Sequence, residues 1–190
     1  MKVIGISGTI GSGKNEVKEI IKQRFNCYCV TLSDVIKAEI EKKRGLLDRK
    51  TLQDMGNEMR KKYGPHILAM LAVEYLPRDK EIIIVDGIRN PAEGEYLRKR
   101  FGNNFIWIGV DAPLEIRFKR ATERQQHNDP KSFEEFVKLD ARDQGLNEPE
   151  YGQQTKKCLE KCDVLIFNDG SLEDLKLKVN NFIDKMNLLS

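Results

Sequence analysis

The chain has 190 residues, which is enough for one domain with a substantial hydrophobic core. Its 33 Lys and Arg nearly balance its 30 Asp and Glu, and a net charge of +3 is too small to predict a protein that coats nucleic acid. No apolar run reaches the length of a membrane span, and the N-terminus lacks a signal-peptide layout, so we expect a cytoplasmic protein whose partners are small molecules. Composition carries no prediction of the oligomeric state.

Five short, nearly continuous apolar runs predict strands that are covered on both faces, at 3–6, 27–32, 82–85, 105–110 and 164–167. Amphipathic patterns predict helices at 13–25, 33–44, 49–76 with a break at Gly64-Pro65, 91–101, 113–143 with a break, 152–162 and 171–187. The alternation predicts a parallel sheet with right-handed crossovers and a ligand site at the carboxyl ends of the strands.

Two segments interrupt this alternation. The helical excess over 33–76 is too long for a plain crossover, and a polar stretch is broken by Asn128-Asp129-Pro130. Both have the character of insertions that close over a ligand. The four cysteines have spacings that are unusual for zinc, so we expect reduced, buried thiols at Cys27, Cys29, Cys158 and Cys162.

The stretch GTIGSGKN, which begins at Gly8, matches the phosphate-binding loop GxxxxGK[ST] except at its last position, Asn15. It lies between a predicted strand and a predicted helix, as that loop requires. Gly8, Gly11 and Gly13 permit a backbone whose N–H groups point at an anion, and Lys14 would reach the β- and γ-phosphates. An ordinary glycine turn is the alternative. The residues predicted to hold ATP here are Gly8, Thr9, Ile10, Gly11, Ser12, Gly13, Lys14, Asn15 and Glu16.

Two residues are predicted to hold Mg²⁺. The side-chain carbonyl of Asn15 is a neutral oxygen ligand that suits a hard cation, directly or through water. Asp86 ends the strand predicted at 82–85, beside the loop, where a carboxylate holds magnesium through water. The alternative for Asp86 is that it caps the following turn.

Four stretches in order along the chain resemble the P-loop nucleoside monophosphate kinase superfamily: GTIGSGKNEV, LQDMGNEMRKKYG, VDGIRNPAE and IFNDGSLEDL. The resemblance is nearest to its branch of deoxynucleoside monophosphate kinases, dephospho-CoA-kinase-like proteins and adenylate-kinase-related proteins, and covers essentially the whole chain. It implies an α/β, three-layer P-loop NTP hydrolase fold with a five-stranded parallel sheet flanked by helices. A single domain, 1–190, would carry a helical substrate-binding segment at about 33–76 and an Arg-rich lid at about 117–143.

The resemblance also implies site residues. The pattern D-x-R-x-x-x-E after the third strand corresponds to Asp86, Arg89 and Glu93, with one residue more between Asp and Arg. The Arg would contact a substrate phosphate, and the Glu would orient the Arg.

Two further matches extend this set. The stretch RKTLQDMGNEMRKKYG resembles a helix whose Gln and Arg approach the acceptor, here Gln53 and Arg60. The stretch DVLIFNDGS resembles the segment beside the adenine base, which makes Asn168 and Gly170 candidates.

Arginines recur at helical intervals in the segment that resembles a lid. Guanidinium groups suit bidentate contact with phosphate, so we predict catalytic roles for Arg120, Arg124 and Arg142 in stabilising the transferring group. The alternative is a solvated charged helix whose arginines pair with neighbouring glutamates.

Asp34 bears on the acceptor, because it follows the second strand at the edge of the sheet where an acceptor would lie. With a hydroxyl acceptor such as dephospho-CoA, its carboxylate would accept the proton. With a nucleoside monophosphate it would only touch sugar or base, and as a helix N-cap it would touch neither. Lys37 stands where many monophosphate kinases carry Arg.

The function predicted from these residues is transfer of the γ-phosphoryl group of ATP to a nucleotide-type acceptor, with Mg²⁺. The sequence favours a (deoxy)nucleoside monophosphate, because the acidic strand end of dephospho-CoA kinases is replaced by VDGIRN. Two alternatives stay open: a dephospho-CoA kinase with Asp34 as base, and a nucleotide-binding regulatory module without turnover.

Overall fold

The structure is a computed structural model, and it describes residues 1–42, 49–74, 76–77, 79–123, 130 and 132–186. Within these residues five strands form one sheet in the order β2-β3-β1-β4-β5, and every neighbouring pair is parallel. The strands are β1 Lys2–Gly8, β2 Cys27–Thr31, β3 Ile82–Ile88, β4 Phe105–Asp111 and β5 Val164–Phe167. The predicted five-stranded parallel sheet is therefore confirmed.

The helices of the described residues cover both faces of this sheet. They are α1 Lys14–Arg24, α2 Leu32–Lys42, α3 Arg49–Tyr63, α4 Ile67–Ala72, α5 Pro91–Phe101, α6 Leu114–Glu123, α7 Phe133–Gln144, α8 Thr155–Lys161 and α9 Leu172–Lys185, with a short 3₁₀ turn at Gly102–Asn104. The predicted break between α3 and α4 is present, and Gly64 has a φ of +102° there. Of the predicted Asn128-Asp129-Pro130 break, the first two residues lie outside the described part of the chain.

Alternating side chains of β3 show why the fold has three layers. Ile82 and Ile84 pack on one face with residues of α1 and α9. Ile83 and Val85 pack on the other face with residues of α2 to α5 and α8. All four are fully buried, as expected of a parallel strand covered on both sides.

The ends of the strands place the functional loop. β1 lies between β3 and β4, so the turn after β1 is at the centre of the carboxyl edge, where ligands of open α/β sheets bind. β3 runs to Ile88, beyond the predicted end, and Asp86 is within the strand opposite Ile6 and Thr31. The pairing extends past the apolar run because both neighbouring strands supply main-chain partners to a polar residue.

The structure also bears on membrane insertion and on the state of the cysteines. No helix among the described residues is long and apolar enough to cross a membrane. The four cysteines are free thiols; Cys158 is buried, and Cys27, Cys29 and Cys162 are half-buried.

Candidate functional site

The turn between β1 and α1 has the backbone geometry of an anion-binding loop. The φ angles of Gly11 and Gly13 are +76° and +97°, which only glycine adopts without strain. α1 begins at Lys14, so its first N–H groups have no partner within the helix and face the loop. The Lys14 ammonium donates to the carbonyl oxygens of Gly8 and Thr9, both at 2.7 Å.

Neighbouring elements leave no room for side chains at these glycines. A Cβ on Gly11 would be 2.4 Å from the carbonyl oxygen of Arg117, and one on Gly13 would be 2.3 Å from Nδ2 of Asn168. Asn168 also donates from Nδ2 to the carbonyl oxygen of Ser12, at 2.9 Å. The loop is therefore packed against α6 and against the turn after β5, and Asn168 is hydrogen-bonded to the loop's main chain.

Two more of the loop residues predicted to bind ATP, Thr9 and Ile10, are held by elements outside the loop. Thr9 donates from Oγ1 to Asp111 at 2.6 Å. Ile10 is buried in a small hydrophobic cluster with Ala121 and Phe136. Both contacts fix the loop on α6, α7 and the end of β4.

A cleft of about 400 Å³ opens on the α9 side of the loop, and we call it the α9 cleft. Arg120 lines it and donates to the carbonyl oxygens of Asn168, at 3.0 Å, and Gly170, at 3.4 Å. The cleft is lined by Gly11, Ser12, Gly13, Lys14, Asn15, Glu16, Arg120, Glu123, Asn168, Leu172 and Leu175. The structure thus brings the predicted loop residues together with Arg120 and Asn168.

A second cleft of about 400 Å³ opens on the other side of the loop, toward α3, and we call it the α3 cleft. It shares Gly11, Lys14 and Asn15 with the α9 cleft. Among the described residues, the charged side chains that line it are five cations and one anion, namely Lys14, Lys18, Lys37, Arg60, Arg89 and Asp86. This cleft is therefore suited to a negatively charged molecule.

Three residues of the α3 cleft have buried polar atoms without a hydrogen-bond partner among the described residues. They are Oε1 of Gln53, Nη1 of Arg60 and Oδ1 of Asp86. Such atoms are uncommon in folded proteins, because an unsatisfied buried polar group costs about 1–3 kcal/mol. An amide oxygen, a guanidinium N–H and a carboxylate oxygen thus converge where a ligand would satisfy them.

Glu93 holds the arginines of this cleft. Its Oε1 accepts from Nε of Arg60 at 2.8 Å, and its Oε2 accepts from the main-chain N–H groups of Arg89 and Asn90 at 2.8 and 3.0 Å. The pair is buried, with Glu93 at 0% and Arg60 at 1% side-chain exposure. Glu93 is thus attached to the side chain of Arg60 and only to the main chain of Arg89.

The guanidinium of Arg89 pairs instead with Asp143 near the end of α7. Asp143 is fully buried and also accepts from Oγ1 of Thr155 at 3.0 Å. Our sequence reasoning missed Asp143, since no local spacing links it to a residue 54 positions earlier.

Asp86 is paired with a lysine that our sequence reasoning also missed. Nζ of Lys18 is 2.5 Å from Oδ2 of Asp86, and their side chains are 15% and 8% exposed. One signal was present, because Lys18 lies four residues after Lys14 and therefore on the same face of α1. Asn15 is exposed on the first turn of that helix.

Asp86 and Asn15 could supply only part of the ligand shell of a magnesium ion, and water and phosphate would have to supply the rest. The described residues contain no group of three or more His, Cys, Asp or Glu that could hold a metal. The orphaned Oδ1 of Asp86 and the amide oxygen of Asn15 are hard oxygen ligands of the kind that Mg²⁺ takes in ones and twos, with water and phosphate completing its shell.

Arg142, which was predicted to act with Arg120, is held by carboxylates and is not among the described residues that line either cleft. Arg142 donates from Nη2 to Asp54 at 2.6 Å and from Nε to Glu148 at 2.8 Å, which ties α7 to α3. Arg124 lies outside the described residues.

Asp34 is exposed and pairs with Lys37, which itself lines the α3 cleft. Its carboxylate is 2.8 Å from Nζ of Lys37, and its side chain is 59% exposed. It is not among the described residues that line the α3 cleft.

Comparisons with known proteins place the chain by sequence. The family model described as AAA domain matches residues 4–143. A UPF0200/UPF0201 protein of Archaeoglobus fulgidus is 30% identical over 189 residues, which cover 98% of this chain and 56% of that protein, so the chain spans about half its length. A UPF0200 protein of Methanocaldococcus jannaschii is 31% identical over 192 residues, which cover 98% of this chain and 91% of that protein.

Solved structures share the fold at low identity. TT1252 from Thermus thermophilus has a TM-score of 0.59 at 20% identity, with 97% of each chain covered. A shikimate kinase from Bacteroides thetaiotaomicron has a TM-score of 0.54 at 14% identity, with 97% and 98% covered. A gluconokinase from Sinorhizobium meliloti has a TM-score of 0.53 at 13% identity, with 97% and 93% covered. With its glycine loop, parallel sheet and sequence relatives, the chain belongs to the AAA-domain family of P-loop proteins and to the UPF0200 proteins.

Proposed function

We propose that the protein is an ATP-dependent kinase that moves the γ-phosphoryl group of ATP, bound in the α9 cleft, to a small anionic acceptor in the α3 cleft. The observation that carries this proposal is that the two clefts share Gly11, Lys14 and Asn15. A protein that only binds or hydrolyses a nucleotide has no need of a second polar cleft. A kinase needs two clefts that meet at a cationic group, because transfer depends on positioning and charge stabilisation.

On the donor side, the loop and α1 would cradle the phosphates with their N–H groups. Lys14 would exchange its two carbonyl partners for phosphate oxygens, which stabilise an ammonium group more strongly. Arg120 lies at the rim of the same cleft and would add positive charge beside the transferring group.

On the acceptor side, the chemistry of the α3 cleft defines a ligand class. Nη1 of Arg60 has no hydrogen-bond acceptor among the described residues and could donate to an anionic group. The amide oxygen of Gln53 has no donor there and could accept a hydrogen bond from the same ligand. A (deoxy)nucleoside monophosphate has both features in its phosphate and its base or sugar. Its phosphate oxygen attacks without a protein base, so no carboxylate is required to remove a proton.

Magnesium would be held by Asp86 and Asn15 together with the nucleotide. When bound, the ion would neutralise charge on the phosphates and help to align them. The chain's own part is to supply a carboxylate that is buried and oriented by β3.

A second candidate is phosphorylation of a hydroxyl group on an anionic acceptor. Two solved structures of the same fold are named as kinases of shikimate and gluconate, and dephospho-CoA belongs to the same class. A base would then be needed. Asp34, the base predicted for that case, pairs with Lys37 and is not among the described residues that line the cleft, and Asp86, which lines it, is here assigned to magnesium. The monophosphate therefore remains the preferred acceptor.

An acceptor panel tests the proposal. The protein is incubated with ATP, Mg²⁺ and single members of a set comprising nucleoside and deoxynucleoside monophosphates, dephospho-CoA, shikimate and gluconate, and ADP is followed. We expect ADP that depends on one class of acceptor, loss of that ADP in Lys14→Met, and retention in Lys22→Met. Lys22 lies on the same helix but is exposed and pairs with Glu19. Tight ATP binding without acceptor-dependent ADP would instead favour the binding module.

A further inference from the structure

Lys14 and Lys18 present two ammonium groups to the α3 cleft from successive turns of α1. They have different partners. Lys14 donates to main-chain carbonyls of the loop, whereas Lys18 forms an ion pair with Oδ2 of Asp86 at 2.5 Å. The Lys18 pair is well shielded from solvent, at 15% and 8% side-chain exposure.

The ion pair changes what Asp86 offers to a metal. Lys18 neutralises the carboxylate and occupies one of its oxygens, while the other oxygen is buried without a partner among the described residues. A free divalent cation that approached Oδ1 would meet a neutralised carboxylate and a nearby ammonium that repels it. Mg²⁺ also gives up its water reluctantly, so one neutralised carboxylate is a poor site for it.

We propose that Lys18 competes with magnesium for Asp86 and so makes metal binding depend on the nucleotide. This inference rests on the proposed function in taking Asp86 as the metal carboxylate. A nucleotide brings phosphate oxygens and negative charge, which offset the repulsion and let the metal take Asp86 from Lys18. Lys18 is then a positioning residue: it acts through Asp86, keeps this buried carboxylate paired before substrate binds, and disfavours metal binding to the protein alone.

The test uses Mn²⁺ as the probe, in the absence of nucleotide and acceptor, with free Mn²⁺ measured by electron paramagnetic resonance. We expect Lys18→Met to bind one Mn²⁺ with a Kd about tenfold or more below that of the wild type, because the repelling charge is gone. Asp86→Asn in the Lys18→Met background should remove the gain. Lys22→Met, which removes an exposed charge one turn further along α1, should bind Mn²⁺ as the wild type does.

Equal Mn²⁺ binding by Lys18→Met and wild type would overturn the inference, as would a gain that persists with Asp86→Asn. Because no nucleotide is present, these outcomes are independent of whether any acceptor is phosphorylated. Conversely, an acceptor panel without turnover would leave the Mn²⁺ result standing.

A wild-type measurement covers the case in which Lys18→Met does not fold. The rate of Lys18 acetylation by an N-hydroxysuccinimide ester is compared, by mass spectrometry, between the protein with a non-hydrolysable ATP analogue in EDTA and with the same analogue and Mg²⁺. We expect a severalfold faster rate with Mg²⁺, since the displaced ammonium has lost its carboxylate. An unchanged rate would contradict displacement.

Discussion

Replacing Glu93 by Gln should both destabilise the protein and weaken acceptor binding. Glu93 serves three donors with its two oxygens: the side chain of Arg60 and the main-chain N–H groups of Arg89 and Asn90. Glutamine has the same shape but only one oxygen, so its NH₂ group must face either the guanidinium or the main chain. At least one buried donor is then left without an acceptor.

The structure sets the size of this effect. Both partners are essentially fully buried, at 0% for Glu93 and 1% for Arg60, so solvent does not screen the lost charge. Removing one partner of such a pair leaves an uncompensated buried charge and costs about 3–5 kcal/mol of unfolding free energy. Glu95, on the same helix, pairs with Lys161 at 57% exposure, and Glu95→Gln should cost no more than about 1 kcal/mol.

Urea unfolding of the two variants measures the difference directly, and isothermal titration with the acceptor measures the effect on Arg60. We expect Glu93→Gln to raise the Kd of the acceptor and Glu95→Gln to leave it unchanged. Arg60→Met should cost less stability in the Glu93→Gln background than in the wild type, because the two residues act as a pair. Equal losses of stability in Glu93→Gln and Glu95→Gln, or additive effects of Arg60→Met and Glu93→Gln, would show that the buried pair does not stabilise the protein.

Three further outcomes follow from particular contacts. Gly11→Ala should abolish nucleotide binding, because its Cβ would be 2.4 Å from a carbonyl oxygen. Gly102 has a φ of +55° and a ψ of −130° but open space around it, so Gly102→Ala should cost about 1–3 kcal/mol of unfolding free energy and leave binding intact. Equal nucleotide affinities of the two variants in titrations would contradict this. Asn15→Ala should raise the Mg²⁺ concentration needed for half-maximal ADP formation more than it raises the KM of the acceptor, and an unchanged Mg²⁺ dependence would exclude Asn15 from the metal shell. Burial, and next the neighbouring Cys29, raises the pKa of Cys27 from 9.0 to about 11. At pH 8 its thiol is therefore protonated and should react with iodoacetamide about a hundredfold more slowly than an unperturbed thiol, and the rate should rise until the pH nears 11. A rate that levels off near pH 9 would contradict the raised pKa.

Much of the fold could be predicted because the strands carry their own signal. The side chains of Ile82 to Val85 are buried alternately on the two faces of the sheet. A strand covered on both faces has apolar residues at every position, which gives a continuous apolar run in the sequence. The loop could be predicted for a similar reason, since Gly11 and Gly13 need conformations that few other residues adopt.

The pairs that organise the α3 cleft could not be predicted in this way. Lys18 and Asp86 are 68 residues apart, and Arg89 and Asp143 are 54 apart. Each contact depends on how whole elements pack, and a charged residue on a helix has the same local pattern whether it faces solvent or a buried partner. Glu93 shows the intermediate case, because the resemblance marked it as the residue that would orient Arg89, but its pairing with the side chain of Arg60 was not predicted.

If the protein transfers a phosphoryl group between two clefts that meet at Lys14, the γ-phosphate of ATP must end on the acceptor. ATP labelled with ³²P at the γ position is incubated with the protein, Mg²⁺ and the acceptor panel, and the products are separated. We expect label in a new phosphorylated organic compound with the wild type, and none with Lys14→Met. Label that is found only in inorganic phosphate, whatever acceptor is present, would contradict this transfer.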